Sequence, residues 1–419
     1  MNMRGTGTPT PTFPHPPVNQ TSNFPRELLE STRMIWSGPC APRPAFSKDI
    51  AEARRSGRSY PPTRPRFGLI VALSIPAVFP TSGLMPANPA LTTAESPAPG
   101  ARNARGEWRP PYPIRYSPVF AWPLRIGKTL KWLVSYPGFM WPRNLLLLAV
   151  SAASWFLTQP AIARCVHFEA GWIAQIYVRN LGLMWLFYGG YHLYLYTLRR
   201  EGTNKKYDPN WPATKSRVFL FGNQVYDNIF WTSGVALLVW TGYEVVTLWL
   251  YANHRIPYLD WAQHPVWFVL LFLAIPFWRE FHFYWIHRFI HWKPLYKRVH
   301  YLHHKNINPI PWSGMAMHPV ETVIYLSVCL IHWVVPSHPI HFLYDLQHAA
   351  LGPSSSHHGF EGPIAKGKWP TGSYFHYLHH RYFECNYGDA TIPLDRWFGS
   401  FRDGLPDGEG AKLAGEHRD

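Results

Sequence analysis

Four long apolar stretches, at residues 144–158, 172–197, 229–252 and 265–286, follow one another with more polar links between them. Allowing for tilt and for aromatic ends, each approaches the roughly 20 residues a helix needs to cross the hydrocarbon layer. A further apolar pair, 322–335 and 339–351, is interrupted by Pro336 and Pro339, which predicts a short hairpin that enters the membrane and returns. The positive charges fit this layout, because loops facing the cytoplasm are rich in Lys and Arg. Arg125, Lys128, Lys131 and Arg143 precede the first stretch, Arg199, Arg200, Lys205 and Lys206 follow the second, and Arg288, Lys293, Lys297 and Arg298 follow the fourth. With four crossings all three groups share one face. The expected fold is therefore an all-α integral membrane protein of about four transmembrane helices plus a short re-entrant hairpin. Everything from His287 onward then forms a histidine-rich helical cap on the cytoplasmic side.

The pattern is different upstream. Residues 1–110 hold 19 of the 42 prolines with no sustained period, the composition of a chain that cannot bury a core. This extension is expected to be disordered. Its one apolar run, Leu69 to Phe79, resembles the core of a signal peptide but lies far from Met1 and is too short to span. The expected division is a proline-rich extension over 1–110, a membrane-embedded catalytic domain over 111–405 and a flexible tail over 406–419.

Composition agrees with the membrane reading. Trp, Tyr and Phe number 21, 23 and 25 while charged residues make up only 15% of the chain, a balance suited to aromatic belts at a membrane surface. The formal charge of +16 comes without a nucleic-acid-binding motif, so nucleic acid is not an expected partner and anionic headgroups are. Cys40, Cys165, Cys329 and Cys385 stand alone, which argues against a thiolate zinc site or a disulfide framework.

The chemistry lies in the histidines. HRFIHWKPLYKRVHYLHH, from His287 to His304, carries five of them. His287 and His291 are i and i+4; His300, His303 and His304 are i, i+3 and i+4; each set lies on one face of a helix. Pro294 between them turns the chain, so two short helices can aim at a common point. A second HxxHH follows at His376, His379 and His380. Neutral imidazole suits iron, zinc, copper or nickel. Eight such residues exceed the coordination number of one ion, so two ions are the economical reading.

At these residues the chain resembles the fatty acid hydroxylase and sterol desaturase superfamily, membrane di-iron oxygenases with ordered HxxxH, HxxHH and HxxHH boxes. EFHFYWIHRFIH, HPVE at His318 to Glu321 and NYGDATIPLDRWFGSFRDG resemble further family text. The short link between the first two boxes is similar to the sterol-desaturase branch. The resemblance implies His287, His291, His300, His303, His304, His376, His379 and His380 as iron ligands. His357, in SHHGF, is the favoured ninth, with adjacent His358 as its rival. It also implies an all-helical membrane enzyme that uses two iron ions, O2 as co-substrate and external electrons to hydroxylate or desaturate a lipid C–H bond. Without a cytochrome b5-like HPGG or a ferredoxin-like cysteine run, a separate donor is expected, cytochrome b5-like or a ferredoxin with its reductase. Such an enzyme would sit in the inner membrane of a bacterium or the endoplasmic reticulum of a eukaryote, with its active site cytoplasmic.

Other residues carry weaker expectations. His318 and Glu321 form a candidate pair for orienting a ligand imidazole, and Asp389 or Asp395 is a candidate partner for a ligand's outer nitrogen. Asn386, Tyr387 and Gly388 are expected to build a turn behind the last box. Glu280 stands where the family commonly has aspartate. Arg288 is expected to meet a carboxylate or a headgroup. His282, His332, His338, His341 and His348 read as structural or interfacial. The competing classes are an intramembrane zinc hydrolase, which would need HExxH, and a non-enzymatic bis-histidine haem carrier or metal transporter.

Overall fold

A computed structural model describes residues 100–413 apart from Ala104, Pro406 and Asp407. Most of the proline-rich extension, including Leu69 to Phe79, and the last six residues of the tail lie outside the described residues. Among the described residues there is no β-strand, only isolated bridges. The chain is a stack of helices.

Among the described residues two helices are long and apolar enough to cross a bilayer: Gln224–Ala252 and Pro265–Ile290, each with mean hydropathy 1.4. The second has 26 residues, about 39 Å at the standard rise, and begins on a proline, whose missing N–H is not needed in the first turn. Pro276 lies inside it without ending it. The first is capped by Asn223, whose side chain accepts from the amides of Val225 and Tyr226. The two earlier apolar stretches are also helical. One is Leu145–Ala153, prolonged by a wide turn over Ser154–Thr158; the other is Ala170–Met184, which continues through wider turns to Thr197. We label these four α1 (Leu145–Ala153), α2 (Ala170–Met184), α3 (Gln224–Ala252) and α4 (Pro265–Ile290).

α2 packs along α3. Polar groups on this apolar pair meet each other: Arg179 of α2 reaches Glu244 of α3 and also bonds Gln159 at 2.9 Å, and Asn180 donates to Glu244 at 3.2 Å. The expected hairpin is α5 (Pro319–Leu326), a tighter turn of helix over Ser327–Trp333, a reversal, and α6 (Pro339–Leu351). α6 lies against α1, α3 and α4 and is buried along its whole length. Inside the hairpin His332 faces Asp345 at 3.3 Å and Ser337 at 2.9 Å. The main core joins Trp240, Trp312, Tyr188, Met184 and Tyr344, so it binds α2, α3 and the hairpin to the segment that follows the second histidine box.

After α4 the chain turns at Trp292 and re-enters helix with Pro294 in the first turn, running to His304. α7 (Tyr374–Tyr382) and the short α8 (Leu394–Trp397) complete this end of the molecule. Trp108 packs with Tyr207, Tyr374, Tyr377 and Leu378 beside α7, so residues just before 111 already contribute to a core.

Candidate metal centre

Nine histidines converge at the C-terminal end of α4. They fall into two groups, His287, His291, His300, His304 and His379 in one and His303, His357, His376 and His380 in the other. Within each group one nitrogen per ring lies within 4.8 Å of all the others, and every ring is buried. The pairs that touch across elements are close: His379 Nε2 to His304 Nε2 is 3.0 Å, His376 Nε2 to His357 Nε2 is 2.9 Å, and His300 Nε2 to His291 Nε2 is 3.1 Å.

The grouping refines the helical argument. In both HxxHH boxes the i+3 and i+4 histidines enter different groups. Successive residues on a helix are about 100° apart, so His303 and His304 diverge, as do His379 and His380. In the first box His300 goes with His304, and in the second His376 goes with His380. Each box therefore bridges the two groups, while HxxxH on α4 serves only the larger.

The outer ring nitrogens show how the rings are held. His287 Nδ1 donates to the Tyr387 carbonyl at 2.6 Å, His379 Nδ1 to the Cys385 carbonyl at 2.6 Å, and His357 Nδ1 to the Pro353 carbonyl at 3.1 Å. A carbonyl only accepts, so these three rings carry their proton on Nδ1 and present the Nε2 lone pair inward. His300 Nδ1 instead meets Glu321 at 2.7 Å. Burial, reinforced by neighbouring imidazoles, holds His300, His304, His376, His379 and His380 well below the usual histidine range. For His303 burial acts in the same direction, and it pushes His357 down to about 3. The rings are neutral at physiological pH, the form that binds metal. His380 has no hydrogen-bond partner on either nitrogen, and the Nε2 atoms of His303 and His304 face only other imidazole nitrogens. Buried polar atoms of this kind are normally satisfied. Two multivalent cations would satisfy the inward nitrogens of both groups, so the donor set fits a pair of metal ions.

A loop behind α7 supplies two of the carbonyl anchors. Asn386 has φ +53°, a left-handed conformation that asparagine tolerates better than most residues. Its side chain ties Phe375 and Arg402 together at 2.8 to 3.1 Å. Asp395 accepts from the amides of Tyr387 and Gly388, both at 2.8 Å, and from Ser400 Oγ at 2.7 Å. A Cβ on Gly388 would lie 3.0 Å from the Asp395 carboxylate and 3.4 Å from Tyr284, so glycine allows this approach. Glu280 of α4 accepts from Thr391 and Ile392 at 3.1 and 2.7 Å, pinning the same loop from the other side.

The other candidate residues divide, and some of them depart from expectation. Asp395 touches no ligand imidazole; it shapes the turn whose Tyr387 carbonyl does. His318 does not join Glu321 at a ring; it caps α5 by accepting from Val320 at 3.2 Å, leaving Glu321 alone on His300. His358 turns away to Thr371 at 2.6 Å, so His357 is the member of the pair that enters the cluster. His282 bonds Ser327 at 3.0 Å, outside both groups. Arg288 meets the Tyr284 hydroxyl at 2.6 Å and the Phe398 carbonyl at 3.2 Å rather than a carboxylate. The carbonyl anchors could not be foreseen, since any residue supplies a carbonyl.

Beside the histidines lies a small cavity of about 40 Å3. His287, His300, His303, His357 and His376 form one wall, and Phe283, Ile286, Ile290, Met317 and Tyr325 make much of the rest apolar. Arg143, Arg279 and Asp389 also line it. Sequence reasoning counted Arg143 only as a loop charge and did not single out Arg279.

Known proteins resemble the chain in this region. The family model for fatty acid hydroxylase matches residues 271–400, which include all nine clustered histidines. A Delta(7)-sterol 5(6)-desaturase of Gibberella zeae is 30% identical over 148 residues, 30% of this chain and 39% of that protein. The Delta(7)-sterol-C5(6)-desaturase of Nicotiana tabacum is 27% identical over 57% of this chain and 84% of its own length. The lathosterol oxidase of Mus musculus is 31% identical over 43% and 62%. The chain spans about two fifths of the length of the first curated relatives it matches. No solved structure matches.

Proposed function

Because the chain belongs to the fatty acid hydroxylase and sterol desaturase superfamily, we propose that it is a membrane-bound di-iron oxidoreductase that oxidises a C–H bond of a lipid. The observation that carries this reading is the pair of buried, neutral histidine groups on one wall of a largely apolar cavity. Two irons held by these groups would supply the O2-derived oxidising power that an unactivated C–H bond requires and that side-chain acids and bases lack.

The reaction balances in either of two ways. Hydroxylation takes RH, O2, two electrons and two protons to ROH and one water. Desaturation takes a –CH2–CH2– unit, O2, two electrons and two protons to the alkene and two waters. In both, the electrons come from a separate carrier of the cytochrome b5 or ferredoxin class.

The chain's own residues hold and shape the site. The Tyr387, Cys385 and Pro353 carbonyls fix the protons of His287, His379 and His357 on the outer nitrogens. Glu321 orients His300. Phe283, stacked on His287 with centroids 4.7 Å apart, keeps the lipid-facing side of the histidine wall apolar and excludes water. α3 and α4 are two membrane crossings in this reading, α1 and the helix beginning at Ala170 are the other two, and the histidine cap faces the cytoplasm.

The test compares the lipids of cells with and without the gene, seeking a species that gains one oxygen or loses two hydrogens. His303→Ala and His379→Ala are expected to abolish that change and the bound iron together, whereas His358→Ala retains both. Retained oxidation in the first two variants would sink the ligand assignment.

A further inference from the structure

Between Glu107 and Glu169 the chain carries no acidic residue, while Arg125, Lys128 and Lys131 stand close together. They lie in and beside a nine-residue helix, Ile126–Val134, none of whose residues is buried. Ile126, Leu130 and Val134 recur at i, i+4 and i+8 and so form one stripe, with 68%, 57% and 72% of their surfaces exposed. On a wheel of 100° per residue Lys131 and Lys128 sit about 100° and 160° from Leu130. The helix therefore has an apolar face bounded by cations. Exposed apolar residues continue at both ends, in Trp122, Leu124 and Tyr136.

A third side of the helix holds it against the bundle. Trp132 packs on Phe139 and on Phe277 of α4, with ring centroids 4.9 and 6.5 Å apart, and its carbonyl accepts from the Phe139 amide at 2.8 Å. The Tyr136 hydroxyl reaches the Lys368 carbonyl, and α1 begins shortly afterwards at Leu145. The exposed stripe is thus fixed in position beside α4. It lies outside residues 271–400, the part of the chain that matches the family model.

We propose that Ile126–Val134 lies in the plane of the membrane surface, with Ile126, Leu130 and Val134 seated at the acyl boundary and Arg125, Lys128 and Lys131 on anionic headgroups. An amphipathic helix with aromatic ends and flanking lysines suits that boundary, because long cationic side chains cover apolar surface while their heads reach the headgroups. A second copy of the chain fits the stripe poorly. Pairing the stripe with itself would bring the cations of both copies together, with no acidic residue in the segment to offset them. The proposal rests on the reading of α3 and α4 as membrane crossings and adds the class of lipid that the segment before α1 recognises.

The test places nitroxide labels on the full chain, in a Cys40→Ser background whose described cysteines are buried, in nanodiscs of phosphatidylcholine with and without phosphatidylglycerol. Labels at Ile126→Cys, Leu130→Cys and Val134→Cys are expected to collide more with oxygen, which concentrates in lipid, than with a water-soluble nickel chelate. Lys128→Cys and Lys131→Cys reverse that preference. Phosphatidylglycerol draws the Leu130→Cys label deeper, and adding Lys128→Gln with Lys131→Gln weakens this seating about 25-fold, roughly fivefold for each cation. Equal accessibility at all five positions, a stripe shielded from both reagents by protein, or no response to phosphatidylglycerol overturns the proposal. A label at Ala274→Cys, exposed on α4, separates the two readings. Lipid contact there with a water-exposed stripe sinks only the surface helix, and water contact there with a lipid-seated stripe sinks only the crossing. In the unaltered chain a photoactivatable phospholipid is expected to cross-link within residues 122–136, and cross-links confined to α1, α2, α3 and α4 overturn the proposal even if no labelled variant folds.

Discussion

At the scale of single residues, the groups behind the histidines decide how well the rings are aimed. Glu321 and His318 were expected to act together, and the structure separates them: Glu321 holds His300 at 2.7 Å, and His318 only caps α5. Glu321→Ala is expected to weaken iron retention by about 10- to 100-fold, the usual cost of losing a group that orients a metal-binding imidazole. His318→Ala should leave iron content unchanged and lower stability by about 1 kcal/mol, as for other lost caps. Iron remaining after dialysis against a graded chelator distinguishes the two, and equal losses would contradict the separation. The histidines were legible because their spacing is a property of the sequence. Cys385, Tyr387 and Pro353 were not legible as anchors, because they act through the backbone and only the fold brings those carbonyls to the rings.

At the scale of elements, helix periodicity read forward gave the right helices but too simple a histidine geometry. Each HxxHH box was taken as one face aimed at one point, whereas its two adjacent histidines part company and enter different groups. The break between the first two boxes was foreseen from Pro294; the chain bends just before it, at Trp292. The contact between α2 and α3 was invisible, since Arg179 and Glu244 lie 65 positions apart. Their side chains are 5% and 0% exposed, so removing one partner leaves a buried charge uncompensated. Arg179→Ala is expected to cost about 3–5 kcal/mol, and replacing both residues by apolar ones should cost clearly less. Thermal midpoints followed by tryptophan fluorescence check this; a double variant less stable than Arg179→Ala would contradict it.

At the scale of the whole molecule, the all-helical character was readable from the long apolar stretches. Two of the four stretches form helices that meet the length and hydropathy of a span. α1, with nine residues and one wide turn, is the short one, as its brief apolar stretch already suggested. The cavity joining Arg143 to Arg279 was beyond sequence reasoning, because it forms where a segment before α1 meets the middle of α4. Stability should also depend on pH as a collective property. The clustered imidazoles beyond α4 are held below the unfolded value, so below about pH 6.5 the unfolded chain binds protons that the folded chain does not. Stability is complete above that pH and falls as pH drops, by about 1.4 kcal/mol per pH unit for each such histidine. The thermal midpoint of metal-free protein between pH 8 and pH 5 reads this directly, and a midpoint that rose on acidification would contradict the buried neutral cluster.

The central claim is that the two histidine groups hold two irons, and metal analysis of the purified full chain tests it most directly. The account predicts about two irons per chain with no haem absorption band, both lost in His303→Ala and His379→Ala. A single zinc per chain with hydrolytic activity, or a haem band, would contradict it.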